Sequence, residues 1–134
     1  MLHVSKATDY ALLFLTSLAK RPGRHWSVRE ASERLHISRR FLANIIHQLA
    51  RQGIIVTSKG AKGGVTLQKN PRTLTIGEVV EVFEGSVNLL DCLCPGYSCE
   101  RASGCSMRSF WKTLSKDINR TLNTTTIQDL GERE

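Results

Sequence analysis

The chain has 134 residues, of which 40% are hydrophobic and 23% are charged, and its net charge is +7 at neutral pH. This length suits one domain, or one domain with a dimerisation element, and the hydrophobic content is sufficient for a packed core. The apolar run near the N-terminus is short and is interrupted by Thr16 and Ser17. We therefore predict neither a signal peptide nor a membrane span, and expect a protein of the cytoplasm.

Positive charge is concentrated in the first half of the chain. Residues 1–70 contain 12 Lys and Arg against 3 Asp and Glu, a net charge of +9, whereas residues 71–134 contain 7 against 9, a net charge of −2. This asymmetry favours nucleic acid as the partner of the first half, although a solvated basic surface has the same signature.

Two helices are predicted before residue 36. Apolar residues at helical spacing predict the first over residues 6–19. After a break, Ser27 stands three residues before Glu30, which predicts a capping box that opens a short second helix over about residues 28–35.

A third helix is predicted over residues 39–52, with Ser38 as its N-cap and Gly53 just beyond its end. Its apolar stripe starts at Leu42 and recurs at i+3, i+4, i+7 and i+8, so the opposite face is basic and amide-bearing. A short helix, a tight link and such a second helix are typical of a helix-turn-helix. The residues predicted to contact DNA from this element are Ser38, Arg39, Arg40, Asn44 and His47.

A wing is predicted next. Residues 54–58 and 65–69 have strand character, and a turn rich in glycine and lysine joins them. Lys59 and Lys62 lie in this turn, where they are able to reach phosphates or the minor groove. A helix-turn-helix, a wing and local positive charge together favour double-stranded DNA as the partner over an unoccupied basic surface.

Two further helices are predicted in the second half. Thr75 and Glu78 form a capping box for a helix over about residues 76–84, and residues 106–122 form a longer helix. One face of the longer helix is apolar over about four turns, and we interpret it as a dimerisation face rather than as a core-packing face. Its apolar residues are Met107, Phe110, Trp111, Leu114, Ile118 and Leu122.

The predicted fold is therefore mainly α: a winged helix-turn-helix with a two-stranded wing and a long C-terminal dimerisation helix. We divide the chain into a DNA-binding domain over residues 1–72, a linking helix and cysteine loop over 73–105, and a dimerisation helix and tail over 106–134. A twofold dimer would place two recognition helices on a palindromic operator.

Four cysteines lie within fourteen residues, and the rest of the chain has none. In a reducing compartment, clustered thiols more often bind metal or sense redox state than form structural disulfides. The spacing leaves a structural zinc site and a thiol–disulfide switch open. No nucleotide-binding glycine loop, nucleophile elbow or paired carboxylates point to an enzyme. The four are Cys92, Cys94, Cys99 and Cys105.

Nearly the whole chain resembles the family of winged-helix bacterial regulators typified by the iron–sulfur cluster regulator IscR and the nitric-oxide-sensing repressor NsrR. The resemblance is carried by "SKATDYAL" in the first helix, "VREASERLHISRRFLANIIHQLARQGII" in the helix-turn-helix, "KGAKGGVTL" in the wing, "TIGEVVEVFEG" in the linking helix, and "TTTIQDL" near the C-terminus. It implies a DNA-binding repressor, not an enzyme, whose operator binding is controlled by an iron–sulfur cluster that responds to nitric oxide, redox state or iron.

The same resemblance implies the ligands. Three cysteines of the loop, Cys92, Cys99 and Cys105, match the family's sensor loop. The IscR-like branch has a histidine where this chain has Arg108, whereas the NsrR-like branch uses an aspartate of the other subunit, at the position of Asp9. The resemblance to the NsrR-like branch therefore implies a 4Fe–4S cluster in preference to a 2Fe–2S cluster.

Two assignments stay open. Cys94 is able to replace Cys92 as the first ligand, and if both bound, the loop alone would supply four thiolates. An acidic residue near the start of a helix, such as Asp9, also serves as an ordinary helix-dipole charge.

Overall fold

The computed structural model describes residues 3–61 and 63–133. Six α-helices and a two-stranded antiparallel sheet are present in this part of the chain, as a mainly α winged-helix fold requires. Within it, no helix is both long enough and apolar enough to cross a membrane. The predicted bounds agree with the observed ones to within two residues. The elements are α1 (Lys6–Lys20), α2 (Val28–Leu35), α3 (Arg39–Arg51), β1 (Ile55–Ser58), β2 (Gly64–Leu67), α4 (Ile76–Glu84), α5 (Ser106–Thr124) and α6 (Ile127–Glu132).

Most of the predicted helix ends are confirmed. The Ser38 hydroxyl accepts a hydrogen bond from the Phe41 backbone N–H at 3.2 Å and caps α3. Gly53 follows α3 with a φ of 72°, the left-handed conformation that glycine tolerates best. Thr75 and Glu78 form both bonds of the predicted capping box of α4. These local signals therefore fix where the helices begin and end.

The capping box predicted for α2 is only half formed. The Ser27 hydroxyl accepts a hydrogen bond from the Glu30 backbone N–H at 3.0 Å, as expected. The Glu30 carboxylate, however, pairs with the Arg24 guanidinium instead of reaching back to the Ser27 backbone. An ion pair with a residue in the preceding turn has thus replaced the second capping bond.

The wing is anchored at its base by a third strand-like segment. In the hairpin, Ile55 lies opposite Leu67. Trp26 pairs with Val65: the Trp26 N–H donates to the Val65 carbonyl at 3.1 Å, and the Val65 N–H donates to the Trp26 carbonyl at 2.7 Å. Gly64 lies against this pairing with a φ of 144°. The wing therefore cannot swing freely from the helical body.

The C-terminal segment closes the core. The sequence did not predict α6, which packs on α1. The backbone before α6 pairs with the chain before α4: the Ile127 N–H donates to the Leu74 carbonyl, and the Ile76 N–H donates to the Thr125 carbonyl, each at 2.9 Å. Ile127 is fully buried in the same hydrophobic cluster as the winged-helix core. One core therefore extends across residue 72, and the division into three functional segments stays a prediction.

Gly64→Ala should destabilise the fold by about 2–4 kcal/mol, because an added Cβ would lie 2.6 Å from the Trp26 carbonyl oxygen and force the two segments apart. Gly53→Ala is the matched control: its φ is also positive but nothing lies within 4 Å, so we expect about 1 kcal/mol. Urea denaturation measures both. Equal losses would contradict the close approach at Gly64.

Candidate functional site: DNA-binding surface and cysteine loop

Helix α3 presents its polar face to solvent. Its stripe of Leu42, Ile45, Ile46 and Leu49 is buried in the core. This packing turns the other side of the helix outwards, and the predicted contact residues on it are all exposed: Arg39, Arg40, Asn44 and His47.

The predicted contact residues differ in how free they are to bind DNA. The Ser38 hydroxyl is engaged in capping α3. Arg39 lies 3.9 Å from the Glu33 carboxylate, which also binds Arg29 at 3.2 Å. Within the part of the chain that the structure describes, Arg40 takes part in no ion pair, so its full charge is available to a phosphate or a guanine edge.

An aromatic contact that the sequence did not predict holds the first turn of α3. Phe41 lies outside the apolar stripe and is partly exposed, and its ring meets the Tyr10 ring edge-on, with centroids 5.6 Å apart. Such pairs stabilise by about 0.5–1.5 kcal/mol beyond their burial. A large apolar side chain off the stripe is the sequence signal that would have indicated a second contact. The pair connects the recognition helix directly to α1.

The tip of the wing carries positive charge. Lys59 follows β1 directly and is exposed, and no ion pair engages it within the described residues. Lys62, predicted as its partner in DNA binding, lies outside those residues. The wing follows α3 in the chain, and its first strand β1 contacts that helix.

Residues 85–105 form the cysteine loop, which connects α4 to α5. Its regular structure is a single 3₁₀ turn over Asp91–Leu93. Cys92, Cys99 and Cys105 are half-buried, Cys94 is exposed, and all four thiols are free. In residues 3–61 and 63–133, no group of three or more His, Cys, Asp or Glu side chains is arranged to hold a metal ion.

The chemistry of the donors nevertheless fits an iron–sulfur cluster. Thiolates are the soft ligands that such clusters require, and zinc also accepts them. Cys92 and Cys99 both lie outside the α-helices and strands of the described residues, so no such element holds them apart. Cys105 is more constrained, because its Sγ caps α5 by accepting a hydrogen bond from the Arg108 backbone N–H at 3.4 Å.

Asp9 lies in the first turn of α1. Within the described residues it does not form a metal-binding group with the cysteines. Its side chain is exposed and takes part in no ion pair within the described residues. The loop does not bring this carboxylate into a site in the single chain. An exposed carboxylate without a partner is accessible to a second subunit.

The start of the cysteine loop is tied to the start of α1. Glu84, the last residue of α4, accepts hydrogen bonds from the Ser5 backbone N–H at 2.9 Å and from the Thr8 hydroxyl at 2.7 Å. Hydrogen bonds from Ser5 and then Thr8 lower the pKa of Glu84, so the carboxylate stays ionised and keeps these bonds even as the pH falls into its usual titration range. Thr8 is fully buried, and Asp9 follows it.

A winged helix with an exposed basic recognition helix and a lysine-bearing wing defines a DNA-binding transcriptional regulator. A family model described as "Rrf2: Iron-dependent Transcriptional regulator" matches residues 4–133. The chain belongs to this family, whose members are DNA-binding regulators and not enzymes, as the sequence predicted.

Individual relatives agree with this assignment. A putative HTH-type transcriptional regulator of Aquifex aeolicus is 32% identical over 128 residues, which cover 94% of this chain and 89% of that protein. The HTH-type transcriptional regulator NsrR of Bacillus subtilis is 36% identical over 86 residues, 63% of this chain and 59% of its own length.

Solved structures show the same fold. CymR, the global cysteine regulator of B. subtilis, is 26% identical with a TM-score of 0.84, covering 98% of this chain and 97% of that one. IscR of T. potens is also 26% identical, with a TM-score of 0.77, covering 96% of this chain and 85% of that one.

Asn44→Ala should reduce the free-energy difference between the preferred base pair and the others at one operator position by about 1–3 kcal/mol. The effect is confined to that position because only one base-edge contact is lost. Lys59→Ala should instead weaken binding to all sequences and reduce the salt slope by about one, as expected of a phosphate contact. Lys20→Ala, beside Gly131 of α6, is the control that should change neither.

Titrations of duplex libraries at several salt concentrations measure these effects. A Lys59→Ala protein with altered sequence preference and unchanged affinity would contradict the assigned roles of α3 and the wing.

Proposed function

We propose that the chain is a homodimeric repressor of the bacterial cytoplasm that binds a palindromic operator, and whose DNA affinity is controlled by an iron–sulfur cluster in the cysteine loop. The proposed ligands are Cys92, Cys99 and Cys105 of one subunit and Asp9 of the other. We propose a 4Fe–4S cluster, with 2Fe–2S as the less favoured form. When bound, such a cluster supplies iron that reacts with nitric oxide and oxygen.

The observation that carries this proposal is the common environment of three thiols. Cys92, Cys99 and Cys105 are half-buried, whereas Cys94 is exposed, with its Sγ 4.0 Å from the Leu90 carbonyl oxygen. Cys99 and Cys105 match the family's spacing of about five residues, whereas Cys92 and Cys94 would leave six and four residues before Cys99. The similar exposure of the three half-buried thiols supports Cys92, rather than Cys94, as the first ligand.

The exposed face of α5 supports a dimer. Met107 and Phe110 are 56% and 55% exposed, and Trp111 beside them packs edge-on against Phe110, with ring centroids 5.1 Å apart. Neighbouring large apolar side chains left in water favour association with a second copy. A dimer formed through this face would pair two recognition helices, and it would allow Asp9 to reach the other subunit's loop.

A continuous set of contacts connects the loop to the DNA-binding surface. Glu84, the last residue before the loop, accepts hydrogen bonds from Ser5 and Thr8 at the start of α1. Tyr10, one residue after Asp9, contacts Phe41 in the first turn of α3. A change in the loop that shifts Glu84 would therefore act on α1 and, through it, on the recognition helix.

A thiol–disulfide switch is the second candidate. It is favoured by the exposed thiol of Cys94, two residues from Cys92, and by the structural likeness to CymR, a global cysteine regulator. In this case the same loop would change shape by forming a disulfide bond, without metal. A wild-type protein purified anaerobically without iron or sulfide, whose DNA affinity follows thiol oxidation, would support this candidate over the cluster.

Replacing Cys92 or Cys99 with Ala, or Cys105 with Ser, should abolish the visible absorption of the anaerobically reconstituted protein. Serine is used at position 105 because its hydroxyl keeps an acceptor for the cap of α5. Cys94→Ala is the matched control and should retain the absorption. Iron and sulfide counts, together with the ultraviolet–visible spectrum, measure whether each variant holds a cluster. If the Cys94 variant loses the absorption while the Cys92 variant keeps it, Cys94 is the ligand instead of Cys92.

Asp9→Ala should leave a folded dimer whose absorption spectrum is altered and fades faster in air, because a carboxylate is a weaker ligand for iron than a thiolate and its loss opens one position. The operator affinity of this variant should also respond less to nitric oxide. Light scattering, spectroscopy and stopped-flow mixing measure these effects. An unchanged spectrum with an unchanged reaction rate would show that Asp9 serves only as a charge at the start of α1.

A further inference from the structure

A cleft of about 440 Å³ lies between the cysteine loop and α5. The loop contributes Asn88 and Leu93 to its lining, and α5 contributes three basic residues, Arg108, Lys112 and Lys116. This surface is separate from the DNA-binding face of α3 and from the apolar face of α5, since the basic residues lie on another side of that helix.

The charge of the cleft is not balanced by protein groups. None of the residues that line it is acidic. Arg108, Lys112 and Lys116 take part in no ion pair within the described residues, although this half of the chain carries more acidic than basic side chains. Like charges four residues apart on a helix repel each other, so this arrangement destabilises α5 unless an anion is bound.

Two unpaired polar atoms belong to residues that line the same cleft. In the described part of the chain, three buried side-chain polar atoms lack a hydrogen-bond partner, and two of them, Arg108 Nε and Ser115 Oγ, belong to residues that line this cleft. Ser115 is only 7% exposed. Buried polar atoms without a partner are costly and rare in folded proteins, so both atoms have unused capacity to bond a ligand in the cleft.

One side of the cleft is held in place. Asn119, another lining residue, donates from its side-chain amide to the Ser115 carbonyl at 2.8 Å and to the Val87 carbonyl at 3.1 Å. The bond to Val87 fastens the first part of the cysteine loop to α5. The cleft therefore has a fixed base, rather than being a chance gap between flexible side chains.

We infer that this cleft binds a small molecule with two or more anionic oxygen groups, carboxylate or phosphate. Successive basic residues are separated by about 6 Å along the helix axis, so a single-charge anion would meet only part of the set. The guanidinium of Arg108 suits a bidentate oxyanion, and the two lysines supply point charges. The unpaired Ser115 hydroxyl supplies a neutral donor beside them.

Binding there would act on the loop. Leu93 lies between Cys92 and Cys94, so a ligand in contact with both sides of the cleft would hold the thiol-bearing segment against α5. This regulatory consequence rests on the proposed sensor role of the loop. The binding itself does not, and it is measurable on the reduced protein without a cluster.

Isothermal titration of the reduced, full-length protein with pyrophosphate and with citrate, at constant ionic strength, tests the inference. We expect one site per chain for at least one probe, and the tighter probe distinguishes a phosphate ligand from a carboxylate ligand. Lys112→Gln combined with Lys116→Gln should weaken binding at least about tenfold, because two charged contacts are lost. Arg120→Gln, on the same helix but paired with Asp117, should have no effect.

Two further variants sharpen the result. Arg40→Gln on the DNA-binding surface should leave pyrophosphate and citrate binding unchanged, which excludes binding of the probe at that face. Ser115→Ala should weaken binding several-fold and raise the melting temperature of the free protein, because it removes a buried hydroxyl that has no partner. The absence of saturable binding for both probes, or equal weakening by Arg120→Gln and the double lysine replacement, would overturn the inference.

Discussion

The packing of α1 against its neighbours is the constraint on which the rest of the structure depends. Its inward side chains Ala11, Phe14 and Leu15 are fully buried, and the helix contacts α3, α4 and α6. Because interiors are close-packed, the helix cannot move against one neighbour without changing its fit to the others. Helix α1 therefore supports three elements at once: the recognition helix α3, the helix α4 that leads to the cysteine loop, and the C-terminal helix α6.

The loop is built differently from this support. It contains four thiols and a single 3₁₀ turn, and hydrogen bonds hold it at both ends. Glu84 fastens one end to α1, and Cys105 caps α5 at the other. In the sensor role proposed above, a chemical change at the thiols would act on the two helices at these ends.

Different parts of helix α5 face three different environments. Its C-terminal half packs on α4, one side of its N-terminal half exposes Met107 and Phe110, and another side presents Arg108, Lys112 and Lys116 to the cleft. Little of it is buried within the single chain, where Ser115 is the buried residue of this helix. A long helix with so little burial in the single chain leaves surface for a second copy, as in the dimer proposed above.

The sequence by itself determined the local structure and the class of protein. Hydrophobic periodicity and the caps Ser38 and Thr75 located the helices, and the charge of the first half indicated DNA, because these signals act over a few residues or are summed over many. Tertiary packing alone decided the bond of Glu84 to Thr8, the contact of Phe41 with Tyr10, and the burial of Ile127. The residues of each of these contacts are at least 31 positions apart in the chain. No local sequence pattern connects residues that far apart, so only the packed structure brings them together. The same reason explains why the basic cleft was missed: Arg108, Lys112 and Lys116 are ordinary surface residues in the sequence, and the cysteine loop folded beside them makes them the lining of one cleft.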